Sequence, residues 1–202
     1  MPERRIYSLG RPIVLRSKDS DAVRFEGHAA VFEQRTWIGD PQKRWGWWEQ
    51  VAAGAFSRAV EEDDVVFLYN HDEDTVMART TSGTLKLDED KIGLRVKAEL
   101  DPADVDVARL VPKLERGDVS KMSFAFSVSK ETWEILDDGD ELRTIEAVEP
   151  LWDVSAVTFP AYSGTDAALR AMAEARQANQ IHTRLHSLRA RLDAAYHTGR
   201  NQ

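Results

Sequence analysis

Apolar and polar residues alternate along this chain as far as Phe159, and beyond it the alternation stops. Val23, Phe25, Gly27, Ala29 and Val31 are interleaved with Arg24, Glu26 and His28, a period of two that predicts a half-buried strand. Val65 to Tyr69 is a short continuous apolar run, which predicts a buried strand, and His71 falls just past its end. Thr84 to Leu87 and Gly93 to Leu100 alternate again, with Leu94, Val96, Ala98 and Leu100 on one face. The polar Asp88-Glu89-Asp90-Lys91 between them predicts a hairpin. Met122 to Val128 and Thr132 to Leu136 read as further strands, followed by a turn at Asp137-Asp138-Gly139-Asp140. Leu142 to Val148 and Trp152 to Phe159 complete a set of about seven strands.

Two short helices interrupt the strands. Gly54 to Val60 opens one that closes at the acidic Glu61-Glu62-Asp63-Asp64. Asp101-Pro102 reads as the start of the other, an N-cap acid followed by a proline at the first helical position. Val107, Leu110, Val111 and Leu114 supply its apolar stripe and Gly117 its stop. Pro112 lies inside that stripe and is expected to kink or split the helix. Arg44-Trp45-Gly46-Trp47-Trp48 has no clean period and reads as a loop, with tryptophans that suit the core or a substrate groove.

The character changes after Gly164. Alanine, arginine, glutamine and leucine dominate, and Ile181, Leu185, Leu188 and Leu192 stand four, three and four residues apart. That predicts an amphipathic helix suited to a partner helix or to the wall of the domain, and hence to self-association. The expected fold is mainly β with flanking helices (α+β): a closed antiparallel β-barrel, because closure removes exposed edges, plus a C-terminal amphipathic helix. The expected divisions are an N-terminal arm over 1–22, a folded domain over 23–169 and a helical tail over 170–202.

Composition narrows the function classes. A chain of 202 residues, 42% hydrophobic and 31% charged, suits one soluble domain with an appendage. Without cysteine there is no disulfide framework, no thiol catalysis and no thiolate metal site, which fits a cytosolic product. No run of roughly 18 apolar residues predicts a membrane span, and no apolar stretch after Met1-Pro2-Glu3-Arg4-Arg5 predicts a signal peptide. The formal net charge of -8 argues against gripping nucleic acid through a broad basic surface. Arg170, Arg176, Arg184, Arg189, Arg191 and Arg200 read as the polar side of the terminal helix, and His182, His186 and His197 as its surface residues.

Three residues attract attention for chemistry. In the strand around Ser123, Met122, Phe124, Phe126 and Val128 are expected to face the core, and Ser123, Ala125, Ser127 and Ser129 the other way. That face of small residues would leave room for an extended substrate. A serine hydroxyl is a weak nucleophile until a base takes its proton, so a histidine must lie within hydrogen-bond reach. His71 is the base candidate, ahead of His28, which sits on a strand far upstream. On its own residues each has a plainer reading: a serine on a polar strand face and a solvated loop histidine. A metal site of His71 with Asp72, Glu73 and Asp74 is disfavoured, because consecutive side chains splay apart and no second histidine stands at ligand spacing. Asp153, between Trp152 and Val154 on a buried strand, needs a partner and would orient His71; Glu146 and Glu149 are the competing choices.

Five motifs in order strengthen that set. They are Trp48-Glu49-Gln50-Val51-Ala52-Ala53-Gly54-Ala55-Phe56, Tyr69-Asn70-His71-Asp72, Ile92-Gly93-Leu94-Arg95-Val96, Gly117 through Phe126, and Asp153-Val154-Ser155-Ala156-Val157-Thr158-Phe159-Pro160-Ala161. Over roughly Val23 to Leu169 the chain resembles the caudovirus prohead (capsid maturation) serine protease family. The resemblance implies a barrel akin to herpesvirus assemblin, with His71 as general base, Ser123 as nucleophile and Asp153 as third member. It departs at Ala53, where the family usually has proline, and at Asp153, where relatives often carry glutamate. It implies a serine endopeptidase without metal or organic cofactor, acting in the host cytoplasm inside the assembling procapsid. Its protein substrates would be the scaffold, a scaffolding segment of the major capsid protein, and itself. The rival expectation is a non-catalytic capsid-assembly or scaffold protein with a protease-like fold. An esterase is disfavoured because Ser123 lacks the Gly-x-Ser-x-Gly elbow. The tail would be a propeptide, a scaffold tether or a dimer contact.

Overall fold

The computed structural model describes residues 2–7, 13–16, 23–40 and 45–158. Among them are eleven strands and two helices: β1 (Glu3–Tyr7), β2 (Ile13–Arg16), β3 (Val23–Val31), β4 (Thr36–Asp40), β5 (Trp45–Val51), α1 (Ser57–Glu62), β6 (Val66–Tyr69), β7 (Ala78–Arg79), β8 (Leu85–Glu89), β9 (Gly93–Leu100), α2 (Val105–Arg116), β10 (Lys121–Ile135) and β11 (Glu141–Val157). The predicted C-terminal helix lies outside the described residues.

Two sheets share one core. The larger runs β1-β10-β11-β5-β4, with β6 also on β11 and β7 on β6; the smaller runs β2-β3-β9-β8. Phe25 from the small sheet meets Phe67 from the large one with ring centroids 4.8 Å apart. Phe56 after β5 packs on Phe124, and Phe124 on Phe126, at 5.3 and 4.6 Å. Each such side chain withdrawn from water stabilises the fold by roughly 1.5–3 kcal/mol. From α2 come Val107, Leu110, Val111 and Leu114, all buried.

Several expectations are corrected. Among the described residues neither sheet closes into a barrel, and the large sheet is mixed, because β11 pairs in parallel with β5 through Leu142–Ile145 and with β6 through Asp153–Ala156. Its edges are blunted instead by short strands, while the small sheet ends in β8 with its acidic Asp88 and Glu89. The tryptophan stretch is not a loop: Trp45 to Val51 form β5, with Trp47, Glu49 and Val51 buried in alternation. The strands expected at 122–128 and 132–136 are one long β10, bent by register shifts between Ala125 and Glu131.

The second helix begins later than Asp101-Pro102. Asp104 is its cap, accepting from the backbone N–H groups of Asp106 and Val107, while Asp101 turns the chain by accepting from Ala103. Pro112 does not split it, since the buried stripe on either side holds both halves to the core. Gly117 ends it at φ 84°, the left-handed region glycine enters without penalty. Within the first 22 residues, β1 joins the large sheet and β2 the small one.

Candidate active site

Strand β10 positions Ser123. Alternation sends Met122, Phe124 and Phe126 into the core, as expected. The other face is not open, however: Ser123 has no exposed surface and Ala125 is also buried. β10 is paired on both edges, by β1 with Ile6 opposite Ser123 and by β11 with Ser155 opposite Ser123. The room expected beside the serine is filled by the N-terminal strand.

His71 arrives from the end of β6, whose residue Tyr69 lies beside Ala156 of β11. Asn70 and His71 then both adopt left-handed backbone, φ 56° and 58°. Such angles cost a side-chain-bearing residue of order 1 kcal/mol or more, least for asparagine. The turn is held by bonds on all sides. Asn70 N–H donates to the Ala156 carbonyl at 2.9 Å, and Asp72 N–H to that of Tyr69 at 3.2 Å. Thr158 N–H donates to Asn70 Oδ1 at 3.0 Å, and Thr75 Oγ1 to the Asp72 carbonyl at 2.8 Å. The consequence is an imidazole turned back over the sheet, its side chain only 6% exposed.

That imidazole joins two strands. Nδ1 lies 2.7 Å from Asp153 Oδ1 on β11, and Nε2 lies 2.7 Å from Ser123 Oγ on β10. Ser155 Oγ donates to the same Asp153 oxygen at 2.6 Å and stands 3.2 Å from His71 Nδ1. With Asp153 ionised, Nδ1 carries the proton and Nε2 is left as an acceptor facing the hydroxyl. A buried carboxylate, an imidazole and a hydroxyl in series can move a proton off the serine, the arrangement nucleophilic catalysis requires.

The competing candidates are elsewhere. Glu146 bonds Lys130 at 2.7 Å and Thr132 at 3.1 Å, and its carboxyl is held below the usual range chiefly by Lys130. Glu149 pairs with Arg58 at 3.1 Å. His28 on β3 bonds Asp90, in the turn between β8 and β9, at 2.9 Å. Asp72 receives the N–H of Asp74. Among the described residues no group of three or more His, Asp or Glu side chains is disposed to hold a metal ion.

Two features were not anticipated from the sequence. Ser155 stands two residues after Asp153 and so on the same strand face, a signal that alternation could have supplied. The other is a buried charge network on the far side of β1. Arg5 donates to both oxygens of the fully buried Glu49, to Oε2 at 2.9 Å, and to Glu3 at 2.6 Å. Arg143 donates to Glu3 at 2.8 and 3.0 Å, to Glu49 at 3.0 Å and to Glu131 at 2.7 Å through Nε. Burial would push the Glu3 carboxyl up, but the Arg143 bonds and the nearby Arg5 charge outweigh it and hold it below 4.5. Burial likewise opposes the charges of Arg5 and Arg143, and the surrounding carboxylates raise both guanidinium pKa values despite it. No local sequence pattern announces a network whose members lie 44 and 94 residues apart.

Comparison with known proteins follows the same lines. The sequence model for caudovirus prohead serine proteases matches residues 11–180. The prohead protease of Enterobacteria phage HK97 is 31% identical over 140 residues, covering 68% of this chain and 55% of that protein. The chain thus spans about half the length of the curated relative it matches. No solved structure matches it.

Proposed function

The chain belongs to the caudovirus prohead serine protease family, and from that premise we propose that it is a serine endopeptidase of phage capsid maturation, with Ser123 as nucleophile. The observation that carries the proposal is the continuous bond series Asp153–His71–Ser123, two links of 2.7 Å through one imidazole. His71 Nε2 takes the Ser123 proton as Oγ attacks the carbonyl carbon of the scissile peptide. Asp153 holds the imidazole in that tautomer and stabilises the imidazolium; Ser155 holds Asp153. The C–N bond then breaks, His71 returns the proton to the leaving amine, and Ser123 keeps the acyl group. Water, deprotonated by His71, attacks that ester; the acid leaves and Ser123 regains its proton. None of these steps calls for a cofactor.

The family supports capsid-assembly proteins as substrates: scaffold, the scaffolding segment of the major capsid protein, and the enzyme itself, cut inside the assembling procapsid. The complete burial of Ser123 favours a second reading, a non-catalytic assembly protein that keeps the fold. Co-expression with the capsid and scaffold genes, wild type beside Ser123→Ala, separates them by intact-mass spectrometry. Discrete fragments with wild type alone are expected. Identical uncut masses in both, with shells still forming, would remove the peptidase reading.

A further inference from the structure

The strand that buries Ser123 is a segment of the same chain, and its contacts are those of a peptide laid against the nucleophile. β1 adds antiparallel to the edge of β10, the other edge of which is taken by β11. An extended peptide therefore reaches Ser123 by strand addition only where β1 now lies. Within β1 the carbonyl group that meets Ser123 is that of Arg5, with Oγ donating to the oxygen at 2.8 Å. The hydroxyl has one proton. While it goes to the Arg5 oxygen it is not available to His71 Nε2, so the serine is idle.

The side chains of β1 are held as selectively as its backbone. Arg5 reaches Glu49 through two nitrogens, a paired geometry in which guanidinium is favoured over other side chains. Glu3, on the same face two residues earlier, is held by two nitrogens of Arg143. Neither Glu49 nor Arg143 contributes to the Asp153–His71–Ser123 series. Both are buried, at 0% and 5% exposure, so an unmatched residue opposite either is costly.

We propose, building on the peptidase reading above, that this edge is the substrate-binding site, that Glu49 and Arg143 select peptides carrying an acidic residue two positions before a basic one, and that β1 is its intramolecular inhibitor. β1 meets Ser123 Oγ with its carbonyl oxygen and is not attacked. A substrate is cut after the basic residue once its carbonyl carbon faces Oγ and takes the new bond, while the following nitrogen leaves with a proton from His71. Substrate segments of that charge pattern compete with β1 for the edge.

The test uses the full chain as wild type, Glu3→Ala and Arg5→Ala, each checked for folding by thermal melt. Ser123 labelling by a fluorophosphonate is timed, and hydrolysis is followed for Glu-x-Arg-Ile, Glu-x-Ala-Ile and charge-reversed Arg-x-Glu-Ile peptides. Losing one charged contact should loosen β1 enough to label about tenfold faster or more, with the Glu-x-Arg peptide cut about tenfold faster than the others. Folded variants that label no faster than wild type would overturn the inhibitor role. Faster labelling without preference for arginine would overturn the selection while leaving the peptidase intact. No labelling in any folded protein would instead sink the peptidase reading, and this inference with it. A second measurement is independent of turnover and of those variants. On Ser123→Ala, millimolar Glu-x-Arg peptide should speed hydrogen exchange in residues 3–7, and the charge-reversed peptide should not; equal effects would overturn the proposal.

Discussion

Asp153→Asn separates the charge of the third residue from its shape. Asp153 accepts from His71 Nδ1 at 2.7 Å and Ser155 Oγ at 2.6 Å through the single oxygen Oδ1. An asparagine that keeps oxygen there retains both bonds and loses only the charge facing the imidazolium. Opposite charges about 4 Å apart attract by about 4 kcal/mol at an effective dielectric of about 20. At 1.36 kcal/mol per decade, that is about a thousandfold in rate. An asparagine that turns its amide nitrogen there donates to Nδ1, forces the imidazole proton onto Nε2, and leaves no acceptor for Ser123; the loss then approaches about 10⁴. The assay is kcat on a fluorogenic peptide together with the fluorophosphonate labelling rate, alongside Glu146→Gln and Glu149→Gln. A fall of about 10³–10⁴ for Asp153→Asn is expected, with both glutamate variants within about twofold of wild type. The reasoning is refuted if folded Asp153→Asn keeps more than about a tenth of wild-type activity, or if Glu149→Gln falls as far.

Three further outcomes follow from the same geometry. Ser155→Ala removes one bond to Asp153 and leaves the charge, so kcat should fall by about tenfold while the melting temperature changes little; an unchanged kcat would make Ser155 a packing residue only. Glu3→Gln probes the β1 network by pH. Because the folded carboxyl lies below its ordinary 4.5, its stabilisation is complete above pH 4.5 and is lost as pH falls through the folded value. Wild type should therefore melt above Glu3→Gln at pH 7, at roughly 2–4 °C per kcal/mol, with the gap closing below pH 4.5. A gap that widened in acid would contradict the assignment. Gly93→Ala would set a Cβ 1.9 Å from the Ala30 carbonyl oxygen between β3 and β9. A backbone atom cannot yield cheaply, so a loss of about 1–3 kcal/mol or more in denaturant unfolding is expected, against near-neutrality if the strands part freely.

The strands that could be read from the sequence are those whose alternation is a local consequence of the pleat. Val23–Val31, the Leu85–Leu100 hairpin and the apolar Val66–Tyr69 all formed, and the glycine stop of α2 also held. β5 was illegible for an identifiable reason. Its buried positions are Trp47, Glu49 and Val51, and a carboxylate in that row reads as solvent-facing until Arg5 and Arg143 arrive from distant segments to neutralise it. Barrel closure failed for a related reason: it depends on which strands pair, and the parallel addition of β5 and β6 to β11 is a long-range choice.

For the site, the sequence by itself determined the chemical types and their setting: a serine on a buried strand, a histidine just past a strand end, and carboxylates on a third segment. Hydrogen-bond contact is decided by distances across strands, so only the tertiary structure determined which carboxylate touches His71 and which serine supports it. It alone shows that residues 3–7 cover Ser123. The physical reason is the range of the interactions. Periodicity acts between neighbours, whereas the bonds that join Arg5 to Ser123 and to Glu49 span 118 and 44 residues and exist only once the sheet has assembled.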